Sequence, residues 1–232
     1  MINRKGLALQ GAKKYTDAIK VFKSIIELTP NDGSAWFSLG SCQMAAKQYS
    51  TAIDTFAKAK GKGEKGNPSI YSYTAYCYQQ QKTGCDKDDI PLYENAVKAL
   101  EEGVKAISGP GKSVLQQDLD NYKKNLGVRT DNLATDNQNH RAALDNIANL
   151  TKSIRGNTST LAKNQDLYLQ QPTDELNAAI EEGKKAITED EAALKDQFKL
   201  LNDYIKAARK CGGARSFTNF NEMVQISKTQ KK

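Results

Sequence analysis

The stretch GSAWFSLGSCQMAAKQYSTAIDTFAKA, residues 33–59, constrains the fold more than any other part of the chain. Trp36, Leu39 and Gly40 come first, followed by Tyr49, Ala52, Phe56 and Ala59 at spacings of three, four and three. Such spacings place bulky and small side chains on single faces of two successive helices. Gly40 lets the second helix approach closely, and Ala52 keeps the crossing tight. One repeat length earlier the same order returns as Gly6, Tyr15, Ala18 and Phe22, with Pro30 closing the unit. A third, looser copy runs through Tyr71, Ala75 and Tyr78, then Tyr93, Ala96, Leu100 and Gly103. A single helix pair cannot bury its apolar face alone, so the copies are expected to stack.

This pattern, W-x2-L-G followed by the Tyr, Ala, Phe and Ala positions, resembles the tetratricopeptide repeat. The resemblance covers about residues 2–107 and implies three such helix pairs over 1–107, forming a superhelix. Two departures stand out. Lys5 occupies a position where the family has Leu, and QQQKTGCDKDDIP is longer than the family's turn. The resemblance further implies a concave groove, lined by the first helix of each pair, that receives a segment of another protein. Its positions would be Asn3, Leu7 and Gln10, then Phe37, Ser41 and Met44, then Ser72, Tyr76 and Gln79. Members of the family that bind chaperone tails hold a terminal carboxylate in a Lys/Asn clamp. Asn3 and Leu7 stand at the first-repeat clamp positions, which argues against that mode.

Composition agrees with a thin-cored, all-α protein. Apolar residues make up 38% and charged residues 26%, and no alternating run of β-branched or aromatic residues marks a strand. The formal charge of +7 is spread out, with most lysines near carboxylates rather than in a stripe with aromatics. That argues against a nucleic-acid surface. No apolar stretch is long enough to span a membrane. Localisation stays open between the cytoplasm and, if a signal peptide has been trimmed, the periplasm or cell envelope.

Beyond residue 112 the repeat signature gives way to a sevenfold spacing. Leu119, Leu126, Leu133, His140, Ile147, Ile154, Leu161 and Tyr168 form one seam, with mostly polar companions three residues later. A second series, Ile180, Ile187, Leu194, Leu201 and Ala208, follows Pro172, where PTDEL reads as a helix start with Thr173 as cap. Residues 113–210 are therefore expected to form long heptad-patterned, coiled-coil-like helices. The alternatives are an antiparallel hairpin, or a diverged repeat plus a capping helix. Gly156-Asn157 is expected to break or kink the first helix, and 211–232 to be a basic flexible tail.

No catalytic constellation emerges. KAISGPGKSV, 105–114, satisfies a relaxed phosphate-loop pattern, but a helix rather than a strand leads into it, so Lys112 marks a helix boundary and Ser113 a cap. GKGEKGN, 61–67, reads as a flexible linker. DKDDI, 86–90, lacks the ligand order of a calcium loop and reads as solvated charge. His140 has only Asp136 as a local partner, an ordinary helix contact. Cys42 and Cys77 read as core residues; Cys85 is near enough in sequence to Cys77 to permit a disulfide. No metal or cofactor is expected.

The sequence thus predicts a non-enzymatic scaffold or adaptor that binds another protein or peptide segment in the concave groove. The alternative is a structural subunit of a homo-oligomeric or envelope-associated assembly, self-associating through 113–210.

Overall fold

The computed structural model describes residues 2–213 and 219–229. Among the described residues the chain is all-α, as expected. In order, the helices are α1 (Ile2–Gly11), α2 (Tyr15–Leu28), α3 (Gly33–Ala45), α4 (Tyr49–Gly61), α5 (Pro68–Gln80), α6 (Asp86–Ala106), α7 (Pro110–Gln170), α8 (Asp174–Lys210) and α9 (Phe220–Thr229). They form two compact units, residues 1–132 and 133–232, with α7 running through both.

In the first unit α1/α2, α3/α4 and α5/α6 are three packed pairs, and each pair leans on the next through α2–α3 and α4–α5. The crossing inside each pair is set by a missing β-carbon. A Cβ on Gly6 would lie 2.8 Å from the Phe22 ring, and one on Gly40 2.7 Å from the Phe56 ring. In the third pair the order is inverted: a Cβ on Gly103 would meet Tyr71 of the first helix at 2.7 Å. Phe22, Phe56 and Tyr71 are all fully buried by these approaches.

The first two repeats agree down to their turns. Lys13 and Lys47, 34 positions apart, both adopt left-handed backbone, with φ of 58° and 62°. The amide of the following residue reaches back to Leu9 O in the first turn and to Gln43 O in the second. This is the usual helix-ending geometry with Lys where Gly is commonest. Asp32 caps α3 by accepting from the Ser34 and Ala35 amides, and Asn67 caps α5 ahead of Pro68.

Several loops differ from expectation. GKGEKGN is not a free linker. It forms a short 3-10 turn, Glu64–Gly66, whose Lys65 carbonyl accepts from the buried Tyr71 hydroxyl at 3.0 Å. The connection after α5 is only residues 81–85, because α6 begins at Asp86 and carries Pro91 within it. Cys77 is a free buried thiol, pushed up to about 12 by burial, so the Cys77–Cys85 pairing does not form. Cys42 is likewise a buried core thiol. At 105–114 a helix does end, with Gly109 at φ 68°, but α7 starts at Pro110, placing Ser113 inside the first turn rather than at its cap.

In the second unit α7 and α8 form an antiparallel hairpin. His140 meets Tyr204, Ile147 packs with Phe198, Ser153 donates to Asp190, and Leu161 lies beside Gly183, so partners advance along α7 as they retreat along α8. Thr173 caps α8 by accepting from the Leu176 amide, with Asp174 and Glu175 in the first turn. Because α8 is continuous to Lys210, no separate capping helix is cut from it. Nor does Gly156-Asn157 break α7. The Asn157 amide reaches Asp190 across the hairpin at 3.3 Å, and one helical Gly costs only about 1 kcal/mol. Of the expected flexible tail, 211–232, residues 214–218 and 230–232 lie outside the described residues, while the described part contains α9. Its Met223 is fully buried among Leu144, Ile147, Phe198, Leu201 and Ile205, an apolar stripe that a simple charge count conceals.

Two outcomes follow from this packing. Gly40→Val should destabilise the repeat unit by about 1–3 kcal/mol in urea denaturation through forced overpacking against Phe56. Gly127→Ala, where nothing lies within 4 Å, should instead stabilise by up to about 1 kcal/mol. The second outcome concerns pH. His140 is buried, which holds it below the ordinary histidine value of 6.5, partly opposed by Asp136. The unfolded chain then binds more protons than the folded one, so stability is full above that value and falls as pH drops below it. Calorimetry between pH 7.5 and 5 should show this fall, and His140→Phe should reduce it.

Candidate functional site

First helices of successive pairs touch one another, α1 against α3 and α3 against α5, whereas comparable contact between second helices is absent among the described residues. The first helices therefore lie on the inner, concave side of the stack. There a hollow of about 340 Å³ is lined by Met44, Ser72, Tyr73, Tyr76, Asp118 and Tyr122.

Three of the groove positions anticipated from sequence meet in this hollow: Met44, Ser72 and Tyr76. Tyr76 packs edge-on against Tyr49, with ring centres 6.3 Å apart, yet is 42% exposed and so offers an apolar face to the hollow. Phe37 lies beneath the rim, stacked on Tyr73 with ring centres 6.0 Å apart. Ser41 is mostly buried, and its hydroxyl donates to the Phe37 carbonyl. Gln79 is committed internally. Its amide nitrogen donates to the Tyr93 hydroxyl, and its oxygen accepts from Tyr122, at 3.3 and 3.2 Å. Asn3, Leu7 and Gln10 sit on α1 and do not line the hollow, although Leu7 is half exposed.

Sequence reasoning missed the far wall. The opening turns of α7 stack on the third pair, burying Leu115 and Leu119 against Tyr71, Ala96 and Leu100. They thereby present Asp118 and Tyr122 to the hollow. Asp118 accepts from the Ser72 hydroxyl at 2.7 Å, and burial beside Tyr93 and Asp118 holds the Tyr122 phenol above its ordinary range. The heptad seam was visible in sequence and includes Leu119, with Tyr122 as its companion. It gave no sign that its first turns serve the repeats.

A buried ionic cluster fixes that wall. Asp89 is fully buried, contrary to the solvated loop charge expected of DKDDI. One of its oxygens accepts from the Thr83 amide and hydroxyl at 2.6 and 3.1 Å, the other from the Gly84 amide at 3.1 Å. Arg129 of α7 then donates to Asp89 at 3.1 Å and to Asp86 at 2.7 Å, with its guanidinium over the Tyr93 ring. A carboxylate can be buried when hydrogen bonds and a counter-charge replace its water.

The repeats have a counterpart among known proteins: residues 9–81 match the tetratricopeptide-repeat family model. This chain is 30% identical over 109 residues to human Superkiller complex protein 3, covering 47% of this chain. The mouse Superkiller complex protein 3 is 29% identical, and Tetratricopeptide repeat protein 37 of Xenopus laevis 26%, over the same length. The chain spans about 7% of the length of these relatives. Among solved structures, the Yersinia enterocolitica type III secretion translocator chaperone SycD aligns with TM-score 0.46 and 21% identity, covering 53% of this chain and 82% of that one. PcrH, solved in complex with the chaperone binding region of PopD, aligns with TM-score 0.42 and 18% identity, covering 56% of this chain and 90% of that one.

The cluster yields a graded expectation. Asp89→Ala leaves the Thr83 and Gly84 loop amides unpaired, although Arg129 keeps Asp86, and should cost about 2–5 kcal/mol. Arg129→Met leaves Asp89 its three neutral donors and should cost less, about 1–2 kcal/mol. Urea denaturation of the two variants would check the order.

Proposed function

We propose that this chain is a non-enzymatic interaction module whose repeat unit receives an extended or helical segment of another protein in its concave groove. The tetratricopeptide-repeat match over residues 9–81 supports a binding role. The observation that carries the reading is the hollow on the inner face, where Met44, Tyr76 and Tyr122 offer apolar and aromatic surface beside Ser72 and Asp118. Aromatic rings supply large contact area at small entropic cost, and nearby polar groups fix register. Of the nine positions anticipated for partner binding, Met44, Ser72 and Tyr76 carry this proposal. Phe37 supports Tyr73 from below, and Asn3, Leu7 and Gln10 would extend the contact along α1. Ser41 and Gln79 shape the wall rather than reach the partner.

The test is site-specific photocrosslinking on the full chain in its native host. A photoreactive phenylalanine at Tyr76 should capture a defined polypeptide, whereas one at Asp54 on exposed α4 should not. Adding Met44→Arg should abolish the adduct while the circular dichroism spectrum is unchanged. Equal capture at Tyr76 and Asp54 would sink the reading.

A further inference from the structure

A hollow larger than the one in the repeats lies on the α7/α8 hairpin, and it makes no use of the repeat groove. It measures about 720 Å³. Ile147, Thr151, Leu194, Phe198 and Ile226 form its apolar lining. Around them stand three cations, Lys152 and Arg155 on α7 and Lys195 on α8, against one carboxylate, Glu191.

Two features identify what such a groove would take. The first is unspent charge. Some cations of the second unit pair locally: Lys184 with Glu181 at 2.7 Å, Lys185 with Glu189 at 3.8 Å, Arg141 with Asp145 at 3.2 Å. Among the described residues, Lys152, Arg155 and Lys195 have no ion-pair or hydrogen-bond partner, and Glu191, one turn before Lys195, does not reach it. Three unpaired cations beside an apolar floor favour an anionic, amphipathic occupant.

The second feature is a worked precedent within the same hairpin. The helix α9 already lies across α7 and α8, burying Met223 on Leu144, Ile147 and Leu201. It carries an acid at its edge: Glu222 pairs with Arg141 at 3.2 Å, while Ser227 donates to Asn202 of α8 at 2.7 Å. The hollow continues this seat toward the hairpin's connecting turn, with Ile226 at the border between them. An apolar stripe flanked by acid against base is thus the way this surface already holds a helix.

We infer that the α7/α8 groove is a second docking site, for a short amphipathic helix of a partner protein whose apolar stripe is flanked by acidic residues. The helix would set its stripe on Leu194 and Phe198 and its acids against Lys152, Arg155 and Lys195.

The experiment uses the full chain and fluorescence anisotropy with two dye-labelled designed peptides. Both carry Leu at helical i, i+3, i+4, i+7 spacing, one flanked by Glu and the other by Lys. The Glu-flanked peptide should bind at least about tenfold more tightly, with affinity falling as salt is raised. The triple variant Lys152→Glu, Arg155→Glu, Lys195→Glu, altered only at exposed positions, should reverse the preference. Ala148→Trp, which fills the groove, should abolish binding without changing thermal unfolding. Met44→Arg in the repeat hollow should change nothing. The inference is overturned if neither peptide binds, if the triple variant leaves the preference intact, or if Met44→Arg rather than Ala148→Trp removes binding. It is overturned equally if phosphatidylglycerol vesicles bind through the three cations while the peptides do not.

Discussion

Where two helices of a repeat cross, an aromatic ring rests against backbone that has no β-carbon: Phe22 on Gly6, Phe56 on Gly40, Tyr71 on Gly103. This contact governs the separation of the paired helices and therefore how the next pair can stack. It also explains how a chain with only 38% apolar residues makes a stable layer. A thin, two-deep stack needs few large side chains, provided each is buried completely. The inner face, with its hollow, exists because those crossings hold the first helices together.

A different kind of bond closes the stack. The first turns of α7 cover Tyr71 and Leu100 with Leu115 and Leu119, an apolar contact that fixes depth but not register. Register comes from directional groups. Arg129 reaches two aspartates at the start of α6, Ser72 donates to Asp118, and Gln79 spans Tyr93 and Tyr122. Together these bonds pin the helix whose Asp118 and Tyr122 form one wall of the hollow.

The repeats were legible because their information is local and periodic. A glycine facing a phenylalanine recurs at one spacing, and Thr173 caps α8 as PTDEL indicated. The seam positions of α7 and α8 likewise turned inward, from Leu119 and Ile147 to Leu201 and Ala208. What stayed hidden depended on partners distant in sequence. Asp89 looks like any loop acid until Arg129, forty residues on, is brought beside it. Lys65 looks like linker until Tyr71 needs an acceptor. Of the candidate groove residues, Met44, Ser72 and Tyr76 could be placed from helix phase alone. That Gln79 would be spent on two tyrosines could not, because both belong to other helices.

The place where α7 begins has a consequence for how this molecule can be divided. The sequence suggests a seam near Gly109, yet the covering layer of the third repeat lies beyond it, in the helix that begins at Pro110. A polypeptide stopped at the glycine would keep every repeat signature and leave Tyr71 and Leu100 bare to water. The smallest self-sufficient piece of the amino-terminal half is thus longer than its motif, and its natural end falls in mid-helix rather than in a loop.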